Sequence, residues 1–389
     1  MLDLLGDESR RNPYPLYAQL RGSPVHRDPG TGLWLLLGYD EVRGALHDPE
    51  TWSSGAAASG GQPLEWLIFQ DPPRHTALRA LILRAFTPRA VAALEPRIRK
   101  LSRELIDPVI GRAEIDLCAD YSIPLPLLVI AELIGIPTAD RPRFRDWSEV
   151  ILRLSDAVAA GGQPAERAVA GFRSASAEMR AYLADLLEER AAAPRDDLLT
   201  RLASAEVDGA RLSPDEILAF FQLLLVAGSE TTTNLISNAI LCFIDHPAEL
   251  ARVRASPALL PSAIEEVLRY RTPIQAVFRQ TRCEVEVGGR AIPPGTLVLA
   301  MIGAANRDPH QFRDADRFDV GRDLNPHIAF GHGIHFCLGA ALARLEARIA
   351  LSDLLAGMKS FELARADWEP RRAFHVHGPS SLPIRFDRA

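Results

Sequence analysis

The segment from Ser213 to Asp245 constrains the fold of this chain most, because it predicts one long helix. Ser213 and Glu216 form a capping-box pair, and Pro214 suits the first helical position. Hydrophobic residues continue almost to Asp245, where a His-Pro pair should end the helix. A helix of about eight or nine turns at 3.6 residues each crosses a whole molecule and is usually central. The sequence therefore predicts a fold built around this helix.

Most of the remaining chain has the 3.6-residue periodicity of helices, for example in residues 177–193 and 342–358. Strand-like sequence occurs around a Gly-Thr-Gly turn near residue 31, in residues 283–301 and in the terminal LPIRFD. We therefore predict a mainly α fold with small β regions.

No stretch has the composition of a linker between domains. Residues 53–63 are rich in Gly and Ser and are predicted to form a mobile loop, while residues 159–166 are predicted to separate two helices. We predict a single domain over residues 1–389.

Charge and hydropathy exclude several function classes. The net charge of −6 leaves no overall basic field for nucleic acid. The N-terminus lacks the apolar core of a signal peptide, and the most apolar stretches, residues 123–137 and 218–228, are shorter than the roughly 20 residues that span a bilayer. We expect a cytoplasmic monomer without a membrane anchor. Because the four cysteines are far apart in sequence, neither a disulfide framework nor a four-thiolate zinc site is indicated.

The segment FGHGIHFCLG, residues 330–339, surrounds Cys337 with three glycines and continues directly into a helical Ala/Leu pattern. Glycines permit close approaches that a side chain would block, so a flat cofactor could lie against this loop. The free N–H groups of the following helix would stabilise a thiolate at Cys337. For a cysteine considered alone, a buried free thiol in a glycine-rich turn is the more common outcome.

This segment resembles the haem-binding loop of the cytochrome P450 family, FGxGxHxCxG, at every fixed position. The resemblance implies the cytochrome P450 fold, with haem b between the long central helix and the cysteine-loop helix. It also implies that Cys337 is the iron ligand, that Phe330 belongs to the haem-binding loop and that His335 hydrogen-bonds a haem propionate. Without the resemblance, His335 could equally be an ordinary surface histidine.

The second motif is AGSETT, residues 227–232, within the predicted long helix. Gly228 costs about 1 kcal/mol relative to alanine in a helix, but it would let a ligand approach. A tolerated kink is the alternative, because Ser and Thr side chains bond back to helix carbonyls. By resemblance, Glu230 and Thr231 form the acid-threonine pair that organises water and delivers protons for dioxygen activation. The family more often has aspartate in place of Glu230.

Glu266 and Arg269 are three residues apart on a predicted helix, a common arrangement that alone means little. They match the family's ExxR motif, whose buried pair is joined by a further arginine. We assign that role to Arg317, although Ala315 replaces the usual proline. All three are predicted to support the haem pocket.

His75 and Arg79 lie four residues apart on one face of a helix that Pro72-Pro73 starts. Two cationic donors on one face can bind a carboxylate, although a solvated basic face is otherwise the more common outcome. The family uses HxxxR at this place for the haem propionates, and Arg279 is a further candidate. These motifs, with the ANRDP segment at 305–309 and the terminal LPIRF, occur in family order along the whole chain.

The resemblance implies a monooxygenase that inserts one atom of dioxygen into a small hydrophobic molecule, by hydroxylation or epoxidation. The chain has no glycine-rich dinucleotide motif, so electrons must come from separate partners, by family analogy a ferredoxin and its reductase. We expect docking arginines on the cysteine side at Arg84, Arg344 and Arg348. A peroxide-driven peroxygenase, a haem-thiolate sensor or binding protein, and a helical protein without haem are the alternatives; Glu230 and Thr231 favour dioxygen use.

The substrate pocket is the least defined part of the sequence. By position, its lining should be the mostly apolar residues Leu64, Trp66, Ile68, Phe69, Leu223, Leu224 and Ile274 to Val277. Such a lining would suit a terpenoid, a polyketide or a fatty acid derivative. Each of these residues could equally be ordinary core, which is the better expectation for the two leucines.

Overall fold

The computed structural model describes residues 6–30, 32–55, 65–112, 114–160, 162–207 and 209–388, without the side chains of 155–160 and 162. Its helices in chain order are α1 (Asp7–Arg11), α2 (Tyr14–Leu20), α3 (Tyr39–His47), α4 (Arg74–Ala85), α5 (Pro88–Ala92), α6 (Glu95–Ile106), α7 (Pro124–Ile134), α8 (Arg141–Ala160), α9 (Gly162–Ala192), α10 (Leu198–Ser204), α11 (Pro214–Ala227), α12 (Glu230–Asp245), α13 (Pro247–Ala255), α14 (Leu260–Tyr270), α15 (Ile302–Ala305) and α16 (Ala340–Gly357).

The strands are short and are distributed along the chain. They are β1 (Val25–Arg27), β2 (Trp34–Leu36), β3 (Trp52–Ser53), β4 (Glu114–Asp116), β5 (Glu206–Val207), β6 (Ala210–Arg211), β7 (Val277–Thr281), β8 (Val285–Val287), β9 (Arg290–Ile292), β10 (Leu297–Ala300), β11 (Glu362–Leu363), β12 (Glu369–Pro370), β13 (Pro379–Ser381) and β14 (Pro383–Arg385). The mainly α fold with small β regions is confirmed. Residues 159–160 and 162–166, which were predicted to separate two helices, belong to the end of α8 and the start of α9, and residue 161 lies outside the described residues.

The chain forms two compact units. The larger unit comprises Met1–Ala57, Ile98–Leu125 and Thr231–Ala389, and the smaller unit comprises Ala58–Arg97 and Pro126–Glu230. Most of the strands belong to the larger unit, and the long helices α8, α9 and α11 belong to the smaller one. The predicted mobile loop at 53–63 falls mainly outside the described residues.

The main sheet of the larger unit has five strands in the order β1-β2-β10-β7-β3. Strands β2 and β10 are parallel, with Leu299 opposite Leu35, and the other neighbours are antiparallel. One face of this sheet packs against α3 through apolar residues that include Leu36, Val42 and Val298, all fully buried. The strands predicted on both sides of the Gly-Thr-Gly turn and in residues 283–301 are therefore confirmed, and the sheet positions α3 beside the segment that precedes α16.

The predicted helix from Ser213 to Asp245 begins and ends where the sequence indicates, and its capping box is present. The prediction of one uninterrupted helix is wrong, because α11 ends at Ala227 and α12 begins at Glu230. The Ser229 hydroxyl donates to the Leu225 carbonyl, which is the back-bonding that bends helices at Ser and Thr. A Cβ atom at Gly228 would lie 2.6 Å from Ile130 Cδ1, so this position in the smaller unit excludes a side chain.

A buried carboxylate, that of Glu266, connects several segments of the larger unit. Glu266 accepts hydrogen bonds from Arg269 Nη2 at 2.7 Å and Nε at 2.8 Å, and neither side chain is exposed. The third arginine is Arg322, whose Nε lies 3.0 Å from Glu266 Oε2. The assignment to Arg317 is therefore wrong. The side chain of Arg317 is exposed, and it is the backbone carbonyl of Arg317 that accepts from Arg269 and Arg322.

These contacts predict unequal stability effects at the two arginines. Arg322→Ala should lower the free energy of unfolding by about 2–3 kcal/mol, because it leaves a buried carboxylate with one fewer charged donor. Arg317→Ala should change it by no more than about 0.5 kcal/mol, because the backbone carbonyl remains. Chemical denaturation of both variants measures the difference, and equal losses would contradict the assignment of Arg322.

Candidate functional site

The loop that carries Cys337 depends on glycines with positive φ. Gly331 and Gly333 have φ values of +74° and +69°, which non-glycine residues rarely adopt. A Cβ atom at Gly333 would also lie 2.5 Å from the carbonyl oxygen of Leu46 in α3. The chain then makes a short 3₁₀ turn, Gly333–His335, and the N–H of Cys337 donates to the Phe330 carbonyl at 2.9 Å. This bond closes the loop just before α16.

Cys337 lies three residues before the first residue of α16, a helix of 18 residues. The positive end of that helix favours a thiolate over a thiol. A Cβ atom at Gly339 would lie 4.0 Å from the Cys337 sulfur, so even a methyl group there would come into contact with it. Arg344 lies in the second turn of α16. Hydrogen bonds to Glu265 raise the pKa of Arg344, and the charge of Cys337 adds to that effect.

The other cysteines have surroundings that do not favour a thiolate ligand. Cys118 and Cys242 are fully buried. Burial raises the pKa of Cys118 to about 11 and that of Cys242 to about 12, so both remain thiols near neutral pH. Cys283 is exposed. Cys337 alone among the four combines partial exposure with a glycine loop and a helix N-terminus.

Side chains of the larger unit make hydrogen bonds and ring contacts around the loop. His335 Nε2 lies 3.1 Å from the Ser54 hydroxyl. The guanidinium of Arg344 lies 4.4 Å from the ring centre of Phe330 and binds Glu265 through two bonds of 2.7 Å. Burial raises the pKa of Glu265, but the hydrogen bonds from Arg344 and His327 outweigh it and lower that pKa to about 2. No sequence pattern pointed to Ser54, and Glu265 was not singled out because it lies next to Glu266 of the ExxR motif.

Two more predicted residues belong to the larger unit. Thr231 lies in the first turn of α12 and is half-buried. Arg279 lies in β7, is buried, and donates from Nη1 to the Phe278 carbonyl at 2.7 Å. Phe330 and Cys337, two predicted site residues of this unit, are joined directly by the backbone hydrogen bond that closes the cysteine loop.

The smaller unit contains the remaining predicted residues. His75 and Arg79 are both in α4, which begins after Pro73 as predicted, and His75 is 1% exposed. Burial and the charge of Arg79 lower the pKa of His75, which favours the neutral imidazole. A neutral imidazole still donates one N–H, so the binding of a carboxylate by His75 and Arg79 stays a prediction. Gly228 and Glu230 follow α11, and Glu230 is half-buried.

The predicted pocket residues are divided between the two units. In the smaller unit, Trp66 Nε1 donates to Gln222 Oε1 at 3.2 Å and its ring stacks on Phe69, so both aromatics pack near α11. Leu223 is buried, and Ile68 is 43% exposed. Leu64 lies outside the described residues. In the larger unit, Ile274 pairs with Val376 in an isolated bridge ahead of β7.

The donor set fits a thiolate-ligated haem. It provides one cysteine sulfur at a helix N-terminus, and the loop around that cysteine has glycine at residues 331, 333 and 339.

No helix in the described ranges is long and apolar enough to cross a membrane.

The chain is similar to known proteins over most of its length. A family model described as cytochrome P450 matches residues 166–367. Cytochrome P450 107B1 of Saccharopolyspora erythraea is 41% identical over 98% of this chain and 98% of its own length. Cyclomarin C epoxidase CymV of Salinispora arenicola is 42% identical over 93% of each chain. The crystal structure of CYP109E1 from Bacillus megaterium in complex with testosterone is 38% identical, covers 96% of this chain and 99% of its own, and gives a TM-score of 0.88.

The chain therefore belongs to the cytochrome P450 family. It is a monooxygenase, an oxidoreductase that incorporates oxygen from dioxygen into a small molecule with electrons from redox partners. Its cofactor is haem b with a thiolate-ligated iron.

The loop geometry predicts which glycine is least replaceable. Gly289 has φ +73° but open space around it, so Gly289→Ala should cost only the backbone strain, about 1 kcal/mol. Gly333→Ala adds a collision with the Leu46 carbonyl, so it should cost about 2–4 kcal/mol in total and lower the haem content of the purified protein. Denaturation and the haem-to-protein absorbance ratio measure both effects. Equal behaviour of the two variants would contradict this account.

Proposed function

We propose that Cys337 is the axial thiolate ligand and that the enzyme hydroxylates or epoxidises a hydrophobic small molecule. The observation that carries this proposal is the loop in which the Phe330 carbonyl binds the N–H of Cys337 directly before α16. The haem supplies the oxygen-activating chemistry when it is bound. The chain holds the sulfur as a thiolate through the positive end of the helix, and the missing side chains leave room for a flat group.

We assign the remaining predicted residues by family position. His335, Arg279, His75 and Arg79 are proposed to donate hydrogen bonds to the haem propionates. Ser54 lies within hydrogen-bond distance of the ring of His335 and fixes its orientation. Phe330 is proposed to pack against the haem, with the Arg344 guanidinium on its ring.

Glu230 and Thr231 are proposed to deliver protons during oxygen activation. Both are half-buried at the start of α12, immediately after the interruption at Gly228. The space that a side chain at Gly228 would need is filled by Ile130, so Gly228 is proposed to contribute to the haem pocket through its backbone. Half-burial supports this role, because such groups exchange protons with solvent and still face a protected site.

The ligand assignment predicts a spectroscopic difference between two cysteine variants. The reduced carbonyl complex of the native enzyme should show the red-shifted Soret band of thiolate ligation. Cys337→Ala should lose that band, whereas the matched control Cys283→Ala should keep it because Cys283 is exposed and distant in sequence from the loop. Retention of the band in Cys337→Ala would overturn the proposal.

The substrate is proposed to be a hydrophobic small molecule such as a terpenoid, polyketide or fatty acid derivative. The apolar character of Trp66, Phe69, Leu223 and Ile274 supports this class. The relatives support it as well, because one is an epoxidase of cyclomarin C and another was solved with testosterone. A spectral-shift screen tests the class: apolar compounds should displace the ferric Soret band at micromolar concentration, and a response only to charged polar compounds would contradict it.

We propose that a ferredoxin, reduced by its reductase, supplies the electrons. Arg344 is a weaker docking residue than the sequence indicates, because Glu265 already binds its guanidinium and neutralises its charge. Arg84 is exposed on α4, and Arg348 is half-buried on α16.

This difference predicts an order of effects on electron transfer. Arg84→Glu and Arg348→Glu should each slow reduction by a ferredoxin about tenfold at low ionic strength, and Arg344→Glu should slow it less. Salt near 1 M should remove most of the differences, because the Debye length falls to about 3 Å. Stopped-flow reduction measures the rates, with dithionite reduction as the control. Rates that respond neither to charge reversal nor to salt would contradict docking at these arginines.

We propose that residues 1–389 function as one cytochrome P450 domain and that the enzyme is a cytoplasmic monomer. Gel filtration and cell fractionation test the last two statements.

A further inference from the structure

The end of α3 and the cysteine loop each carry a histidine, and the structure brings the two imidazoles together. His47 is the last residue of α3, and His332 directly precedes the 3₁₀ turn Gly333–His335. The centres of the two rings are 5.3 Å apart, and the ring planes are tilted by 35°. His47 is exposed and His332 is half-buried, so both rings can be reached from solvent. The function proposed above uses neither side chain.

Backbone contacts hold this pair of histidines in place. A Cβ atom at Gly333 would lie 2.5 Å from the carbonyl oxygen of Leu46 and 2.9 Å from the Cα atom of His47, so the loop lies directly against the end of α3. The positive φ of Gly333 permits this close approach. The two imidazoles therefore extend from fixed neighbouring positions, and a ligand that binds both of them has little chain to order.

The distance between the rings fits two ligands of one metal ion. Imidazoles that bind a tetrahedral zinc ion at nitrogen–zinc distances of about 2.0–2.1 Å hold their ring centres about 5 Å apart. The observed separation of 5.3 Å agrees with that geometry. Imidazole is a ligand that zinc, copper and nickel ions prefer, whereas magnesium and calcium ions take oxygen ligands.

The charges around the pair permit a cation. Burial and the charges of Arg43 and His47 lower the pKa of His332, which favours the neutral imidazole that binds metals. Arg43 opposes a further positive charge, but His47 lies at the negative end of α3 and Asp48 follows it directly. Hydrogen bonds from Thr51 lower the pKa of Asp48, so its carboxylate is ionised and offsets the charge of Arg43.

We propose that His47 and His332 bind one divalent first-row transition-metal ion, such as Zn²⁺, and that this ion links α3 to the cysteine loop. In the part of the chain that the structure describes, no group of three or more His, Cys, Asp or Glu side chains is arranged to hold a metal. The site therefore has two protein ligands, and water molecules complete the coordination of the ion.

An ion at this site stabilises the folded enzyme. Residues 47 and 332 are far apart in the chain, so the unfolded chain does not present both imidazoles together, and binding favours the folded state. The ion also fixes the segment that leads to Cys337, and we therefore expect slower loss of haem when the metal is bound. This last effect rests on the ligand role proposed above for Cys337, whereas the metal site itself does not.

Titration calorimetry of the haem-loaded, tag-free enzyme with ZnCl₂ tests the site. The native enzyme should bind one more zinc ion per chain than His332→Ala or His47→Phe, although the phenylalanine keeps an aromatic ring in place of the imidazole. His310→Ala is the matched control and should bind as the native enzyme does, because it removes an exposed histidine of another segment. Native enzyme without this zinc ion, or undiminished binding in His47→Phe, would leave only an aromatic contact and overturn the site.

Crystals of the native enzyme grown with zinc locate the ion. The anomalous density at the zinc edge should show a peak about 2.0–2.1 Å from a ring nitrogen of both His47 and His332. A peak bound to one of these histidines alone would contradict the proposal.

Thermal denaturation and the transfer of haem to a scavenging protein test the link between α3 and the loop. Zinc should raise the Tm of the native enzyme and of His310→Ala by several degrees and slow their haem loss severalfold, while MgCl₂ should do neither. His47→Phe should not respond to zinc. A zinc-bound native enzyme with unchanged Tm and unchanged haem loss would overturn the link. If Cys337→Ala instead keeps the red-shifted Soret band, the ligand proposal fails and the metal site stands.

Discussion

The buried carboxylate of Glu266 is the constraint on which the larger unit depends. It accepts hydrogen bonds from Arg269, Arg322, Asn325 and the backbone N–H of Asp319. Arg269 in turn donates to backbone carbonyls of the segment between α15 and the cysteine loop. A buried charge with so many partners cannot lose one cheaply. The loop that holds the proposed ligand therefore begins from a segment whose path is fixed by this single acid.

The chemistry of the proposed ligand follows from what surrounds each cysteine. Burial keeps Cys118 and Cys242 protonated. Cys337, in contrast, lies at the positive end of a helix, in a loop that contains three glycines. Gly333 is the tightest of these positions, because its backbone is strained for any other residue and it touches α3. The reactivity of Cys337 and the stability of its loop thus depend on the same short segment, residues 330–339.

Helix α12 relates the oxygen-activating motif to the interior of the larger unit. Its Thr233 and Ser237 attach the helix to Ser122, and Asn238 Nδ2 donates to the carbonyls of Arg271 and His377. These buried contacts hold α12 to three other segments of the larger unit, so the helix that begins with the proposed proton-delivery residues has a fixed position in that unit.

The sequence alone determined the capping box at Ser213, the helix end at Asp245, several short strands and the order of the motifs, because these depend on local patterns or on fixed spacings. The class of enzyme followed from the resemblance of those motifs to a known family. Tertiary structure decided the partners: Arg322 in place of Arg317, and the neutralisation of Arg344 by Glu265. It also divided the predicted long helix after α11. Partner choice and pKa depend on which groups approach through space and on how much water they lose, and neither quantity is encoded in local periodicity.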